Sequence, residues 1–402
     1  MKILVVCQYY YPENFQITPI CEQLVRDKHE VTVLTGLPNY PTGIVPEEYK
    51  KGRRDEVING VHVIRCYEVG RKNGVFRLII NYISFCCSAL RKVSKLQKDY
   101  DVVFTYLLSP ITMALPGWKY AKKNKIPVFL YCCDLWPESS KIYIKSEKSL
   151  IYALLKKISK KVYMGSSKIG VQSNTFIPYL EEVHGIPTEK MVYLPAFADE
   201  TYLTQNFNVE NDTIDFVFLG NLGKAQNLIA VLKAIEKIKD VPNFKVHFVG
   251  EGSCLEDMKC FVQTHALGNI VQFYGRHPVE EMVKYYKLAD ACLVSLGADS
   301  KVGLTLPSKV QGYMAAGKPI IGMADGMIKI VIEEARCGIC VPAGDIEGFS
   351  KALFQFISEK NKYQSCGENG RKYFRNHFSK AGYMKKLEKE LEGLGRKTDV
   401  NI

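Results

Sequence analysis

The sequence contains no apolar stretch long enough to cross a membrane. In its N-terminal half an uncharged apolar stretch runs from Leu78 to Leu90, which is well short of the ~20 residues that a membrane helix needs. The chain enters a strand-like pattern at Lys2 without the basic region, apolar core and cleavage site of a secretory signal. We therefore expect a mature chain that starts at Met1, spans no bilayer and is cytoplasmic.

Cysteine patterns typical of disulfide frameworks and metal sites are also missing. The 13 cysteines are an odd number, and several lie in strand-like apolar runs, where a thiol behaves as a small hydrophobic group. The Cys-x-x-Cys pair formed by Cys337 and Cys340 has no second pair at zinc-ligand spacing. We expect neither a disulfide framework nor a bound metal.

The composition excludes several classes of protein. Hydrophobic residues make up 47% of the chain and charged residues 24%, as in ordinary globular proteins, which rules out disorder, a coiled coil and a collagen-like rod. No tandem repeat of about 20–50 residues is visible, so a solenoid is excluded.

The positive charge is distributed unevenly. Residues 1–200 contain 28 Lys and Arg against 19 Asp and Glu, whereas residues 201–402 contain 26 against 23. The excess is concentrated between Lys50 and Lys98, where 12 basic residues accompany 3 acidic ones. Such a field favours an anionic partner: nucleic acid, an acidic membrane surface or a phosphorylated substrate. No motif that reads nucleic acid accompanies it, so we expect no nucleic-acid partner.

Short apolar runs alternate with amphipathic helical patterns along the whole chain, which predicts an α/β protein with parallel sheets. The predicted strands are Lys2–Cys7, Glu30–Thr35, Val61–Tyr67, Asp101–Tyr106, Pro127–Cys133, Lys168–Gln172, Met191–Leu194, Asp215–Leu219, Lys245–Val249, Ile270–Tyr274, Ala291–Ser295, Pro319–Gly322 and Gly338–Val341.

These strands are too many for one doubly wound sheet, so two similar domains are expected. We place the first at residues 1–198 and the second at 199–379, with a hinge near Ala198 and the break before the polar stretch 204–213. The charged helical segment 380–395 is expected to pack back on the first domain.

In open parallel sheets, ligands bind at the carboxyl ends of the strands. One such end in the second domain carries Gly220, Asn221, Gly223 and Lys224. The glycines permit close backbone approach, and the lysine supplies a cation for a diphosphate. The spacing is not that of a Walker A loop. A glycine turn with a surface lysine remains the alternative.

A second candidate is the segment around Pro307, Ser308 and Lys309, which reads as a loop followed by a short helix. With Ser308 as a cap, it would place a hydroxyl, backbone N–H groups and a charge at a helix N-terminus, where an anion binds. A third is Gly250-Glu251-Gly252 after a strand. Glu256 stands where a dinucleotide fingerprint needs its third glycine, so NAD binding is disfavoured.

In the first domain, Asp134 and Glu138 follow a strand in a segment that contains Trp and Pro. Such a strand end is more often a site than a core. The loops 9–15 and 37–41 would open onto the same cleft. Their aromatic rings, amides and acids suit sugar binding, although a folded loop would use them too.

The ordered motifs of the second domain resemble the family 4 retaining glycosyltransferases of GT-B fold. They are Phe-Leu-Gly-Asn-Leu, Phe-Val-Gly-Glu-Gly, Phe-Tyr-Gly-Arg, Ala-Asp-Ala-Cys-Leu-Val and Tyr-Met-Ala-Ala-Gly-Lys-Pro-Ile, followed by Val-Pro-Ala-Gly-Asp. The segments 134–139 and 37–41 are similar to the bacterial surface-polysaccharide branch that includes L-fucosamine transferases. The resemblance implies an α/β protein with two Rossmann-like domains facing each other across a cleft.

The same resemblance implies a hexosyltransferase-type enzyme that moves a sugar from a UDP-sugar, with retention of configuration, no metal and no cofactor besides this donor. The sugar would be an N-acetylated amino sugar and the product a polysaccharide of the capsule or O-antigen type. The implied residues are, for catalysis, Asp134, Glu138 and Lys224; for the donor, Gly220, Asn221, Gly223, Lys224, Gly250, Glu251, Arg276, His277, Pro307, Ser308, Lys309 and Gln311; and for the acceptor, Glu13, Asn14, Phe15, Asn39 and Tyr40.

The sequence departs from the family's pattern in several places. The paired glutamates, the second of which holds the ribose, are replaced by Leu304 and Gly312, and Gln311 is the candidate substitute. Asn221 stands where the family has an arginine, and Gln226-Asn227 replaces its Lys-Gly. A His-Asp pair is altered to Cys133-Asp134. We interpret these changes as divergence with the activity kept.

For the acceptor, the segments 75–98 and 150–163 combine apolar and basic residues and suggest a surface at the membrane interface. We expect a polyprenyl-diphosphate-linked saccharide at the inner face of the cell membrane. Ordinary crossover helices with solvated basic faces are the alternative. The alternatives to transfer are a nucleotide-sugar 2-epimerase of GT-B fold and a non-catalytic nucleotide-sugar-binding homologue.

Overall fold

Two parallel β-sheets organise the chain in a computed structural model, which describes residues 1–71, 74–144, 146–207, 212–298 and 304–395. The chain divides into two compact units. Unit 1 is Met1–Leu194 together with the chain from Met384 onward, and unit 2 is Pro195–Tyr383. The predicted domain limits of 198 and 379 differ from these by four residues each.

Unit 1 contains an eight-stranded sheet of order β3-β4-β2-β1-β5-β6-β7-β8, parallel except for the antiparallel pair β3–β4. The central strands β5 and β6 are buried at every residue, as strands covered on both faces must be. The strands are β1 Lys2–Val6, β2 Glu30–Thr35, β3 Asp55–Ile58, β4 Val61–Arg65, β5 Val102–Leu107, β6 Val128–Cys132, β7 Lys168–Val171 and β8 Met191–Tyr193.

Helices cover this sheet. They are α1 Ile17–Arg26, α2 Glu47–Lys51, α3 Val75–Lys92, α4 Leu115–Asn124, α5 Leu150–Gly165 and α6 Phe176–His184. The last helix, α14 (Lys380–Gly395), belongs to unit 1 from Met384 onward. There Glu388 lies 3.5 Å from His29 and Glu390 lies 3.9 Å from Lys168.

Unit 2 contains a six-stranded, all-parallel sheet of order β11-β10-β9-β12-β13-β14. Its strands are β9 Ile214–Leu219, β10 Phe244–Val249, β11 Val271–Gly275, β12 Ala291–Ser295, β13 Ile320–Met323 and β14 Gly338–Val341. Its helices are α7 Leu228–Glu236, α8 Leu255–Thr264, α9 Met282–Leu288, α10 Ser308–Ala315, α11 Met327–Ala335, α12 Ile346–Ser358 and α13 Gln364–His377. Buried apolar residues fill both faces of the sheet.

The structure confirms the α/β class, and every predicted strand overlaps an observed one. The antiparallel edge strand β3 was not predicted, because its sequence, Asp-Glu-Val-Ile, is half charged and only partly buried. The expectation that Ser308 caps a helix is wrong: Pro307 holds the N-cap position in an extended conformation, and Ser308 is already helical. Lys72 of the basic segment and residues 208–211 of the predicted polar stretch lie outside the described residues.

No helix in the part of the chain that the structure describes is both long enough and apolar enough to cross a membrane.

Candidate functional site

In unit 2 the carboxyl end of β9 and that of β10 are each followed by a turn whose backbone conformation requires glycine. Gly220 has a φ of +119° and Gly250 a φ of +148°, values that side chains rarely tolerate. A Cβ atom on Gly250 would lie 1.9 Å from the Gly220 carbonyl oxygen. The two turns therefore pack backbone against backbone, and Gly220 itself remains exposed.

Helix α10 is fixed beside these turns. The Tyr313 hydroxyl accepts a hydrogen bond from the Leu219 N–H (3.0 Å) and donates one to the Leu293 carbonyl (3.2 Å). It thereby attaches α10 to the end of β9 and to the middle of β12. Val310 and Met314, on the same side of the helix as Tyr313, are also buried. The first turn of α10, with Lys309, is held next to Gly220.

Lys309 is the most unusual group of this edge. Its Nζ lies 3.7 Å from the centre of the Phe218 ring and would lie 3.3 Å from a Cβ on Gly220. Among the described residues the buried Nζ atom has no hydrogen-bond partner. Burial lowers the pKa of this amine to about 7, because a desolvated ammonium is costly. An anion beside Gly220 would supply the missing partner.

The other predicted donor residues surround this point at the surface of unit 2. Asn221, Lys224, Glu251 and Ser308 are exposed, and Lys224 begins a short 3-10 turn that ends at Gln226. The Gly223 N–H donates to the side chain of that glutamine at 3.2 Å. These exposed side chains are free to meet a ligand that also reaches Gly220.

Arg276 and His277 follow the neighbouring strand β11. Arg276 is exposed. His277 is engaged within its own segment, with Nδ1 2.9 Å from Glu281 and Nε2 3.1 Å from the Tyr274 carbonyl oxygen. Of the pair, the arginine is the side chain that is open to a ligand.

Gln311 and Gly312 face the interior of unit 2. The Gln311 amide donates to the Ala196 carbonyl at 2.8 Å. A Cβ on Gly312 would lie 2.7 Å from the hydroxyl of the buried Tyr286. A glutamate at position 312 would therefore collide with this hydroxyl unless Tyr286 shifted. Leu304 follows residues 299–303, which lie outside the described range.

In unit 1, Asp134 lies at the carboxyl ends of β5 and β6. The Ser109 hydroxyl donates to its Oδ2 at 2.6 Å. Burial raises the pKa of Asp134, and the bond from Ser109 opposes the shift. A half-buried carboxylate with a raised pKa at a strand end is suited to orient a hydroxyl or accept its proton.

Glu138 is enclosed. Its Oε1 accepts hydrogen bonds from the hydroxyls of Tyr179 (2.8 Å) and Tyr152 (3.0 Å), and its Oε2 lies 2.7 Å from Lys141 Nζ. The carboxylate joins α5, α6 and the loop after β6. This environment favours a structural role for Glu138, which holds these segments together, rather than direct contact with a substrate.

The predicted acceptor residues divide into buried and exposed groups. Glu13 is buried and accepts hydrogen bonds from the backbone N–H groups of Asn39 (2.8 Å) and Tyr40 (2.5 Å). Burial raises the pKa of this carboxyl, and the backbone N–H donors oppose the shift. Asn39 is buried, whereas Asn14 is exposed. Glu13 therefore joins the loops after β1 and β2.

Three rings from these loops form an aromatic cluster. Tyr9 and Phe15 stack at 5.0 Å, and Tyr40 lies 5.4 Å from Phe15 and 5.9 Å from Tyr9. The Arg71 guanidinium lies 5.7 Å from the centre of the exposed Tyr40 ring. Exposed rings beside amide groups can stack on the apolar face of a sugar.

Sequence reasoning missed Ser109, Arg71 and Glu68. Glu68 is buried at the centre of the loops that carry the aromatic cluster. In the sequence it is one acid in a basic segment, and no motif surrounds it. Among the described residues, no group of three or more His, Cys, Asp and Glu side chains could hold a metal ion.

Two known families match the chain, one in each half. Residues 15–196 match the glycosyl transferase 4-like domain, and residues 200–373 match the family described as glycosyl transferases group 1. The relatives are distant. The chain is 25% identical to "Probable glycosyltransferase WbjE" of Pseudomonas aeruginosa over 58% of its length and 60% of that protein. It is 23% identical to "Putative colanic acid biosynthesis glycosyl transferase WcaI" of Escherichia coli K12, over 89% of this chain and 92% of the relative.

Solved structures of similar fold cover nearly the whole chain. Sucrose-phosphate synthase from Thermosynechococcus elongatus superimposes with a TM-score of 0.73 at 16% identity, over 98% of each chain. Anabaena HepE, crystallised in complex with UDP, gives a TM-score of 0.70 at 12% identity, over 98% of this chain and 100% of HepE. These identities show the fold alone: the protein has the two-domain, Rossmann-like GT-B fold.

Proposed function

Because its two halves match two glycosyltransferase domains, we propose that this glycosyltransferase moves a sugar from a UDP-sugar to a polyprenyl-diphosphate-linked saccharide, with retention of anomeric configuration and without a metal. The observation that carries the proposal is the buried ammonium of Lys309, which has no hydrogen-bond partner among the described residues and lies against the exposed Gly220. A diphosphate placed there gives this charge its counterion.

The donor is held by unit 2. Lys309 and Lys224 neutralise the diphosphate, and the first turn of α10 adds the positive end of its dipole. In the transfer step a bond forms between the acceptor oxygen and the anomeric carbon, while the bond from that carbon to the phosphate oxygen breaks and its electron pair leaves with UDP. The two lysines stabilise the charge that develops on the leaving phosphate.

The acceptor is held by unit 1. With retention, the acceptor hydroxyl attacks on the face of the leaving group and passes its proton to the departing phosphate, so no protein nucleophile is needed. Asp134 orients this hydroxyl, and the rings of Phe15 and Tyr40 stack on the sugar. The Arg71 guanidinium beside Tyr40 suits an acceptor that carries a phosphate.

An exposed apolar surface supports a lipid-linked acceptor and peripheral attachment to the inner face of the cell membrane. Phe76 on α3 is 74% exposed and Leu150 on α5 is 89% exposed. Both helices follow strands, so their first turns lie at the sheet edge that carries Asp134, and both contact the 3-10 turn Ile111–Ala114. Other exposed apolar residues of these two helices are Val75, Ile79, Ile83, Ile151, Leu154 and Met164, and α5 adds Lys156, Lys157, Lys160 and Lys161.

Colanic acid biosynthesis, named for one relative, supports polysaccharide assembly as the setting. An N-acetylated amino sugar remains the proposed transferred group, and capsule or O-antigen synthesis the proposed pathway class.

The first test is thermal unfolding of the protein with UDP, GDP, ADP, NAD and several UDP-sugars. A ligand at 100 times its Kd adds about 2.7 kcal/mol of stability. We expect shifts with UDP compounds alone, and the sugar that gives the largest shift directs the transfer assay. No shift with any nucleotide, or a shift with NAD alone, contradicts the proposal.

The membrane part is tested by flotation with anionic liposomes. We expect salt-sensitive binding that the double variant Phe76→Ser/Leu150→Ser weakens. The Val57→Ser variant, altered at an exposed apolar residue of β3, serves as the control. Equal recovery of all three proteins with the liposomes contradicts it.

The filled space at Gly312 favours a second candidate function. Because the glutamate that contacts the donor ribose in the family has no counterpart here, the protein could bind the nucleotide-sugar without catalysing transfer. Incubation with the UDP-sugar and a synthetic acceptor, farnesyl-diphosphate-linked N-acetylglucosamine, separates the two. Release of UDP with a glycosylated acceptor supports transfer, and binding without product supports the second candidate. Incubation without acceptor detects an epimerase by a changed sugar.

A further inference from the structure

Glu68 is a buried acid that the proposed reaction does not use. It follows β4, is 1% exposed and lies between the loops after β1 and β2 and helix α3. Its Oε1 accepts hydrogen bonds from the side-chain amides of Asn39 and of Asn81, the latter at 2.7 Å. One carboxyl oxygen therefore joins two segments that are distant in the sequence.

The network extends from these amides in two directions. Gln8 Nε2 donates to Asn81 Oδ1 at 2.9 Å, which reaches the loop after β1. The Arg71 N–H donates to Asn39 Oδ1 at 3.0 Å, which reaches the segment that places a guanidinium over Tyr40. All the contacts converge on the aromatic cluster, since Tyr9 and Tyr40 are neighbours of Gln8 and Asn39 in the chain.

The space around the second oxygen is closed. Among the described residues Glu68 Oε2 has no hydrogen-bond partner. A Cβ on Gly36 would lie 1.9 Å from it. The backbone at Gly36 therefore packs directly on the carboxyl, and no side chain except hydrogen fits there.

We propose that Glu68 is a positioning residue for the acceptor: its buried carboxyl sets the loop of Asn39 and Tyr40 and the backbone of Arg71, and so the aromatic surface that binds the acceptor sugar. The inference rests on the proposed function for the identity of the ligand. The contacts themselves are independent of it.

Burial favours the neutral form of this carboxyl. Burial raises the pKa of Glu68 to about 8, and the nearby Glu13 carboxylate adds to the shift, while the hydrogen bonds from Asn81, Asn39 and Gln8 oppose it. The titratable groups that face it are Glu13 and Tyr9 from the loop after β1, Cys66 beside it in the chain and Tyr82 from α3. A neutral acid that accepts two amide bonds needs no counterion.

The first measurement is amide hydrogen exchange of residues 37–42 in the wild type, Glu68→Gln and Glu68→Ala. Glutamine keeps the accepting oxygen but cannot ionise. When the loop opens, Glu68 regains an ordinary pKa. The opening equilibrium constant of the wild type therefore increases as pH rises from 5 to 8, by up to about tenfold per pH unit relative to that of Glu68→Gln. Glu68→Ala loses protection at every pH, and the exposed Glu181→Gln behaves as the wild type. Equal exchange in the wild type, Glu68→Gln and Glu68→Ala overturns the proposal.

The second measurement separates positioning from general stability. With farnesyl-diphosphate-linked N-acetylglucosamine as the acceptor probe, Glu68→Ala is expected to raise the KM for the acceptor about tenfold. The KM for the UDP-sugar stays unchanged and Glu68→Gln restores the acceptor KM at pH 7. An unchanged acceptor KM in Glu68→Ala overturns the inference. If the wild type neither binds UDP nor turns over, the proposed function fails instead, and the exchange data still decide whether Glu68 holds the loop.

Discussion

The same edge of a parallel sheet carries opposite chemistry in the two units. In unit 2 the loops after β9 and β10 are glycine turns, and the notable side chain is the cation Lys309, buried against Phe218 with no hydrogen-bond partner among the described residues. In unit 1 the loops are filled by aromatic rings and by three carboxyl groups whose pKa values burial raises: Glu13, Glu68 and Asp134.

The difference shows two ways of preparing a surface for a ligand. Unit 2 leaves a desolvated charge to be compensated by the ligand, which favours an anion strongly. In unit 1 the carboxyl groups of Glu13, Glu68 and Asp134 each accept a hydrogen bond from a neighbouring group. The exposed surface beside them offers aromatic rings to a ligand. The first suits a diphosphate and the second a saccharide, which is the reason for proposing that unit 2 binds the donor and unit 1 the acceptor.

The largest effect is expected from Asp134→Asn in unit 1. The variant keeps an oxygen for the bond from Ser109 but loses the carboxylate that, in the proposed reaction, orients the acceptor hydroxyl. We expect kcat to fall by about 10²-fold, the effect of a misplaced reacting group, while UDP still stabilises the protein. Single-turnover transfer and thermal unfolding with UDP measure the two effects.

Glu138→Gln is the matched comparison. It removes the charge that Lys141 contacts and weakens the hydrogen bonds from two tyrosine hydroxyls. We therefore expect a lower melting temperature and little change in kcat. If Glu138→Gln abolishes turnover in a protein of unchanged stability while Asp134→Asn remains active, the two carboxylates have been assigned the wrong way round.

The next effect concerns unit 2. Lys309→Met removes the ammonium but fills the same space beside Phe218. We expect UDP affinity to drop by about 2 kcal/mol, the usual size for a hydrogen bond to a charged group, while the ligand-free protein becomes more stable because an uncompensated buried charge is lost. Thermal unfolding with and without UDP measures both. Lys224→Ala, at an exposed position, is the control and should weaken UDP binding without stabilising the protein. Unchanged UDP affinity in Lys309→Met removes Lys309 from the site.

A smaller effect tests the filled space at position 312. Gly312→Glu places a side chain against the Tyr286 hydroxyl, so we expect a loss of about 1–3 kcal/mol, as in overpacked cores. The double variant Gly312→Glu/Tyr286→Phe removes the colliding oxygen and should recover part of this stability, which urea unfolding measures. Full stability of the single variant would show that Tyr286 does not explain the absence of a glutamate here.

The sequence predicted most of the fold and only part of the site, for physical reasons. Strands such as Ala291–Ser295 consist mostly of consecutive apolar residues, a pattern that is easily recognised in the sequence. Strand β3 carries Asp55 and Glu56 and lacks that pattern. Lys309 was recognised by its place at the start of a predicted helix. Its burial depends on Phe218 and Gly220, about 90 residues away in the chain, and no local pattern encodes such a contact.

The same limit applies to the acids of unit 1. Asp134 and Glu138 looked equivalent because both follow β6. Only the fold brings Tyr179 to Glu138, 41 residues later, and Ser109 to Asp134, 25 residues earlier. Glu68 had no motif at all, since its partners Gln8, Asn39 and Asn81 come from three separate segments.

The last predicted effect is a pH dependence of UDP binding that arises from Lys309 in unit 2. The pKa of Lys309 is lowered from 10.5 to about 7, so between these values this amine holds fewer protons in the folded protein than in the unfolded chain, and its contribution to the stability of the ligand-free protein rises with pH. A bound diphosphate favours the protonated amine, so UDP binding takes up a proton and its Kd rises by up to about tenfold per pH unit from 7 to 9. Calorimetry in buffers of different ionisation enthalpy measures this uptake. Lys309→Met should show none, whereas Glu68→Gln should retain it, because its change lies in the other unit. Uptake that persists in Lys309→Met would assign the proton to another group and would show that the buried amine of unit 2 does not respond to UDP.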